Sequence, residues 1–139
     1  MSIKAGAGGA RAAGFSLLEL LVVLAIVGIL GALAIPSYRA YILGTHRTNA
    51  KAILGESAQY MERYFTANNS YEGATLMSAV APKNASGRDV RYNISFSVEP
   101  DAGKYTLQAV PAGAQADDAC ATLTLSSTGA QTPDSAGCW

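Results

Sequence analysis

The chain is short of the residues that do chemistry. It has one histidine and two cysteines, and its ten basic residues are matched by ten acidic ones. A lone His46 cannot form a metal site with Cys/His spacing, and no phosphate-binding glycine loop is present. Zero net charge removes the general basic excess that sequence-independent nucleic-acid binding draws on. Asp117 and Asp118 are the nearest thing to a cation site. Adjacent acids point apart on an extended backbone and lack the spaced oxygen ligands that calcium needs, so the pair reads as a solvated loop. His46, beside Arg47, reads as solvated or interfacial. No catalytic residue, cofactor or metal is expected, and the chain does not read as an enzyme.

Charge is scarce in one place above all. Between Arg11 and Arg39 the only charged residue is Glu19, and from Leu20 to Ile35 every residue is apolar or glycine. Phe15 to Ile35 is long enough to cross a bilayer as a helix, which takes about 20 residues. Lys4 and Arg11 precede the span without an acid. The positive-inside rule therefore keeps the N-terminus cytoplasmic and puts the rest of the chain on the far side of the inner membrane. Cys120 and Cys138 both lie beyond the span. A bridge between them is expected in an oxidising compartment, with two unrelated buried thiols as the alternative. Closing that loop would stabilise the domain by roughly 3 kcal/mol.

The rest of the chain divides by pattern. Residues 1–14 are small, Gly/Ala-rich and basic, and read as a leader. Residues 15–36 are the membrane-spanning or filament-core helix. Pro36 should kink it without ending it. Residues 37–68 continue as an amphipathic half, with Ala50, Ile53, Leu54, Tyr60, Met61 and Tyr64 at spacings of three and four. Arg47, Lys51, Glu62 and Arg63 fall largely outside that stripe. Asn68, Asn69 and Ser70 end the helix.

Residues 69–139 carry a loop, an antiparallel sheet and the cysteine pair. A short helix is expected at Leu76 to Val80. Val90, Tyr92, Ile94, Phe96 and Val98 then alternate with polar residues as a strand. Pro100 to Gly103 is a turn, and further strands are expected over 105–110 and 121–125, with a turn at Thr128-Gly129. The fold class is α+β: a long N-terminal helix packed on a sheet of three or four short strands.

The run Gly14-Phe15-Ser16-Leu17-Leu18-Glu19-Leu20-Leu21-Val22-Val23 resembles the cleavage and anchor motif of type IV prepilins. It combines a glycine before the cut, an aromatic first mature residue and a glutamate four residues on, within an apolar helix. The resemblance implies the type IV pilin fold, cleavage after Gly14 and N-methylation of Phe15 by a prepilin peptidase. It also implies extraction of the helix, through an inner-membrane assembly platform, into a filament of pilin subunits. A carboxylate in hydrocarbon costs roughly 2.5–3.5 kcal/mol on insertion scales and usually has a partner. Glu19 has no cation in the span except the amine that cleavage creates at Phe15, on its own chain or a neighbour's. Such a pair would set subunit register; a Glu solvated at headgroup level is the plainer alternative. In pilins of this kind the helix can loosen between residues such as Gly28 and Pro36. Gly28 could equally serve close helix packing.

Tyr105 to Ala109, Cys120 to Leu125, Thr128-Gly129 and Cys138-Trp139 are similar to the tail of PilE-type minor pilins. Trp139 is read as packed against the disulfide and sheet, with a contact to another subunit as the alternative. The resulting expectation is a minor subunit of a surface pilus serving pilus assembly, twitching motility, adhesion or DNA uptake. Direct nucleic-acid binding is expected only through the filament. The alternatives are a pseudopilin of a type II secretion system and a membrane-anchored periplasmic binding module.

Overall fold

The structure, a computed structural model, describes residues 14–139. The expected leader, Gly14 apart, lies outside the described residues, and so do the flanking cations Lys4 and Arg11. The chain divides into one unit ending at Tyr38 and a second from Arg39 to Trp139. A single helix, α1 (Leu17–Asn68), contributes to both.

In the first unit α1 begins at a cap. Ser16 Oγ accepts the backbone N–H of Glu19 at 3.1 Å, satisfying one of the N–H groups a helix start leaves free. Ser16 and Glu19 thus stand at the two positions of a capping box. Beyond them the large apolar side chains from Leu17 to Ile35 are exposed all round. α1 runs unbroken through Gly28 and Pro36. Pro36 removes one helical N–H, and next to it Ser37 Oγ donates to the carbonyl of Leu33 at 3.3 Å.

In the second unit the remainder of α1 buries Ala50, Ile53, Leu54, Ser57 and Met61. Their spacing of three and four puts them on one face. Tyr60 and Tyr64 flank that face half-buried. The helix stops where Asn69 turns left-handed, with φ 55°, a conformation that asparagine tolerates and most residues do not. Its N–H reaches back to the Phe65 carbonyl at 2.7 Å.

Opposite this face lies a five-stranded antiparallel sheet in sequential order. Its strands are β1 (Val80–Ala81), β2 (Tyr92–Val98), β3 (Thr106–Pro111), β4 (Leu123–Ser126) and β5 (Gln131–Thr132). Tyr92 and Ile94 of β2, Leu107 and Ala109 of β3, and Leu123 of β4 are buried on one face. Alternation in these strands therefore reports the core, as period-two patterns should. A register shift between Phe96 and Val98 ends that alternation, and Val98 is exposed.

Two expectations are corrected. Leu76 to Val80 is not a helix: Val80 and Ala81 pair with Asn93 and Tyr92 instead. Five residues are too few to hold a helix alone, and Pro82 disfavours helical backbone at Ala81. The sheet has five strands, not three or four, because β1 and β5 are two residues each and leave no period to read. At the expected turn, Asp101 Oδ1 accepts the N–H groups of Gly103 and Lys104, both at 2.8 Å.

Cys120 and Cys138 are bridged. The 18-residue separation they span contains β4 and β5, so the tail is part of the sheet rather than a loose end. Trp139 packs against the core cluster, and its Nε1 donates to the Thr132 carbonyl of β5 at 2.9 Å.

Candidate functional site: an apolar assembly helix and a clasped C-terminal loop

The first unit holds the expected processing and assembly residues. Gly14, Phe15 and Ser16 precede α1, and Phe15 is 81% exposed. Gly14 is exposed as well. Glu19 sits in the first turn, where the helix dipole favours a carboxylate. It has no ion pair among the described residues. From Leu17 onward the helix presents apolar surface on every side, far more than a protein keeps in water. Such a surface suits only lipid or other helices.

The second unit holds an arrangement that the sequence reading did not find. Asp118 is not a solvated acid: its side chain is completely buried. Arg47, read as lying off the core stripe, reaches it from α1. Arg47 Nη2 lies 2.5 Å from Asp118 Oδ1 and Nε 3.0 Å from Oδ2, the two-pronged geometry that only arginine offers a carboxylate. Tyr92 Oη donates to Asp118 Oδ2 at 2.6 Å, and Gln115 Nε2 donates to the same oxygen at 2.8 Å. The Cys120 N–H closes the shell on Oδ1 at 3.0 Å. Gln115 Nε2 also reaches the Leu43 carbonyl of α1 at 2.9 Å.

Burial alone would raise the Asp118 carboxyl. The hydrogen bonds from Arg47, Tyr92, the Cys120 N–H and Gln115 outweigh it and hold the group down at about 2. Tyr92 moves the other way, to about 12, through burial and its bond to Asp118. Asp117, next in sequence, is exposed. His46 is half-buried beside this network, and its pKa is lowered by burial and by the Arg91 charge.

Arg47 has a second grip. Its Nη1 donates to the Gly137 carbonyl at 3.0 Å. One guanidinium thus ties α1 to both ends of the disulfide loop. A second fastening lies further along α1, where Glu62 accepts hydrogen bonds from the hydroxyls of Tyr71 and Tyr105, each at 3.1 Å. Burial and the contact with Glu62 raise both phenols. Nothing local marks Arg47 and Asp118 as partners, since 71 positions separate them. The one hint was that Asp118 stands two residues before a cysteine.

Among the described residues no group of three or more His, Cys, Asp or Glu side chains is placed to hold a metal. A long helix, apolar in its first half and packed on a small antiparallel sheet in its second, with a C-terminal disulfide, defines a type IV pilin. The chain belongs to the type IV minor pilin family described as "ComP, DNA uptake sequence receptor", whose family model matches residues 36–124.

The prokaryotic N-terminal methylation motif matches residues 9–35, which contain Gly14, Phe15 and Glu19. Among solved structures, the chain is similar to a type IV pilin from Shewanella oneidensis at 29% identity and TM-score 0.56, covering 70% of this chain and 97% of that one. The non-core minor pilin PilV of Neisseria meningitidis matches at 22% identity and TM-score 0.49, over 66% and 86% of the two chains. No curated protein matches the chain. The chain is thus a pilus subunit of the minor pilin class, and the readings as a pseudopilin or a simple anchored module give way to it.

Proposed function

We propose that the chain is made as a membrane-anchored precursor with a cytoplasmic N-terminus and a periplasmic 39–139 unit. A prepilin peptidase then cuts it after Gly14 and methylates the amine of Phe15. The assembly platform moves α1 from the bilayer into the core of a surface pilus. Glu19 sets the axial register by pairing with a Phe15 amine, and Gly28 and Pro36 let the helix loosen as it packs. The observation that carries this reading is the all-round apolar stretch of α1 from Leu17 to Ile35, which holds a single carboxylate and no cation. Intact-mass measurement of protein extracted from membranes tests the processing step. The expected species begins at Phe15 and carries one methyl group. A species keeping residues 1–14 in cells with an active peptidase would overturn the step.

Contact with DNA is a second reading, favoured by the description of the family as a DNA uptake sequence receptor. With zero net charge, such contact would fall to local cations. Arg39, Lys51, Arg63, Arg88 and Arg91 have no carboxylate partner among the described residues. If these five make the phosphate contacts, duplex binding should weaken with salt along a log–log slope no steeper than about −4.5. Absence of binding at low salt would remove this reading.

A further inference from the structure

We propose that Arg47 is the positioning residue for the disulfide: it holds both feet of the 120–138 loop on α1, so that the two thiols meet before the bridge closes. One foot is Asp118, two residues before Cys120, gripped by Nη2 at 2.5 Å and Nε at 3.0 Å. The other is Gly137, immediately before Cys138, gripped through its carbonyl by Nη1 at 3.0 Å. The first grip passes directly to a cysteine, because Asp118 Oδ1 also accepts the Cys120 N–H. The second is set by a tight turn, in which Gly137 adopts φ 84° and the Cys138 N–H bonds the Ser135 carbonyl at 3.1 Å. A side chain at 137 would strain that turn. Gln115 and Tyr92 anchor Asp118 from the other side. No contact in this set involves sulfur, so the clasp closes the same loop as the bridge by separate means.

Two closures of one loop are coupled. Whichever forms first removes most of the closure entropy that the other must overcome, and the coupling is reciprocal. Arginine is required for the geometry. Its planar fork serves a carboxylate along one edge and a carbonyl from the remaining nitrogen, whereas a lysine ammonium is a point charge on a flexible stem.

The closing reaction needs a disulfide donor, here glutathione disulfide. The thiolate of one cysteine attacks a donor sulfur and releases one glutathione thiolate. The second cysteine thiolate then attacks the resulting mixed disulfide and releases the other. Two electrons pass to the donor, and the two protons of the cysteine thiols end on the two glutathiones. Arg47 enters neither step; it raises the local concentration of the second thiol at the mixed disulfide.

The test equilibrates the full chain in detergent with graded mixtures of glutathione and its disulfide. The bridged fraction is read by alkylation and mass. Arg47→Lys and Arg47→Met should both need a more oxidising mixture. For Arg47→Met the effective concentration of one thiol at the other should fall by about tenfold, within the usual range of site–site coupling, and for Arg47→Lys by less. An unchanged value in variants that keep the native far-UV signal would overturn the proposal.

Arg47→Met also strands the Asp118 charge, so a second measurement leaves Asp118 intact and removes the bridge. In the Cys120→Ser/Cys138→Ser chain, backbone amides at 120 and 138 should stay protected from hydrogen exchange while Arg47 is present, and lose that protection when Arg47→Lys is added. Fast exchange at both amides with Arg47 in place would mean that the clasp does not hold the loop unaided, and the proposal would fail.

Discussion

Asp118→Ala should destabilise the 39–139 unit by about 3–5 kcal/mol, the usual cost of removing one partner from a buried ion pair. That is a large share of the 5–15 kcal/mol typical of a domain, and the melting temperature should fall by about 15 °C or more. The reason is what remains behind. The Arg47 guanidinium, mostly buried, loses its counter-charge, while Tyr92 Oη and the Cys120 N–H lose their acceptor. Asp118→Asn should cost less, because an amide oxygen still accepts from one or two of these donors.

The same network sets the pH range of the fold. Asp118 has its folded pKa lowered to about 2 from 3.8. Its contribution is therefore complete above the unfolded value near 4 and is lost as pH falls through 2. Tyr92 has its folded pKa raised to about 12 from 10. Its contribution is complete below pH 10 and is lost as pH rises through 12. Denaturant midpoints should stay level with respect to these two groups between about pH 5 and 9. In Asp118→Asn the loss of stability between pH 4 and 2 should shrink. An acid limb identical in the two proteins would mean that another carboxyl controls it.

The parts of this fold that repeat were legible in the sequence. The apolar run, the stripe from Ala50 to Met61 and the alternation of β2 each recur often enough to identify a helix or a strand. The Gly14-Phe15 junction with Glu19 pointed to a family because the run resembles that family's cleavage and anchor motif. What escaped has no period. β1 and β5 exist only because a neighbouring strand pairs with them, and a two-residue strand carries no alternation. Leu76 to Val80 looked helical by composition, but long-range pairing and Pro82 decided otherwise. Asp118 was misread because an acid next to another acid looks solvated. Its burial depends on an arginine 71 positions away, and one sequence holds no record of that pairing. Ser16 and Glu19 carry the S-x-x-E spacing of a capping box, a local role that stands beside any part Glu19 plays in assembly.

Glu19→Val should leave the chain in the membrane and out of the pilus. The substitution takes away a carboxylate costing roughly 2.5–3.5 kcal/mol in hydrocarbon, so the variant should insert at least as well as the parent. Helix initiation should survive, because Ser16 Oγ accepts the backbone N–H at 19, which valine also provides. The proposed cleavage site, Gly14-Phe15, is unchanged, so cleavage should proceed. What valine cannot do is pair with the Phe15 amine of an incoming or preceding subunit.

Immunoblots of sheared surface fibres against the membrane fraction, for wild type and Glu19→Val side by side, measure this directly. The expected result is wild-type chain in the fibres, and variant cleaved to the same size but at least tenfold depleted there, about 1.4 kcal/mol of lost assembly free energy. Equal incorporation of the two would contradict the register role of Glu19. Wild-type chain confined to the membrane while pili are being made would contradict the account of this chain as a pilus subunit.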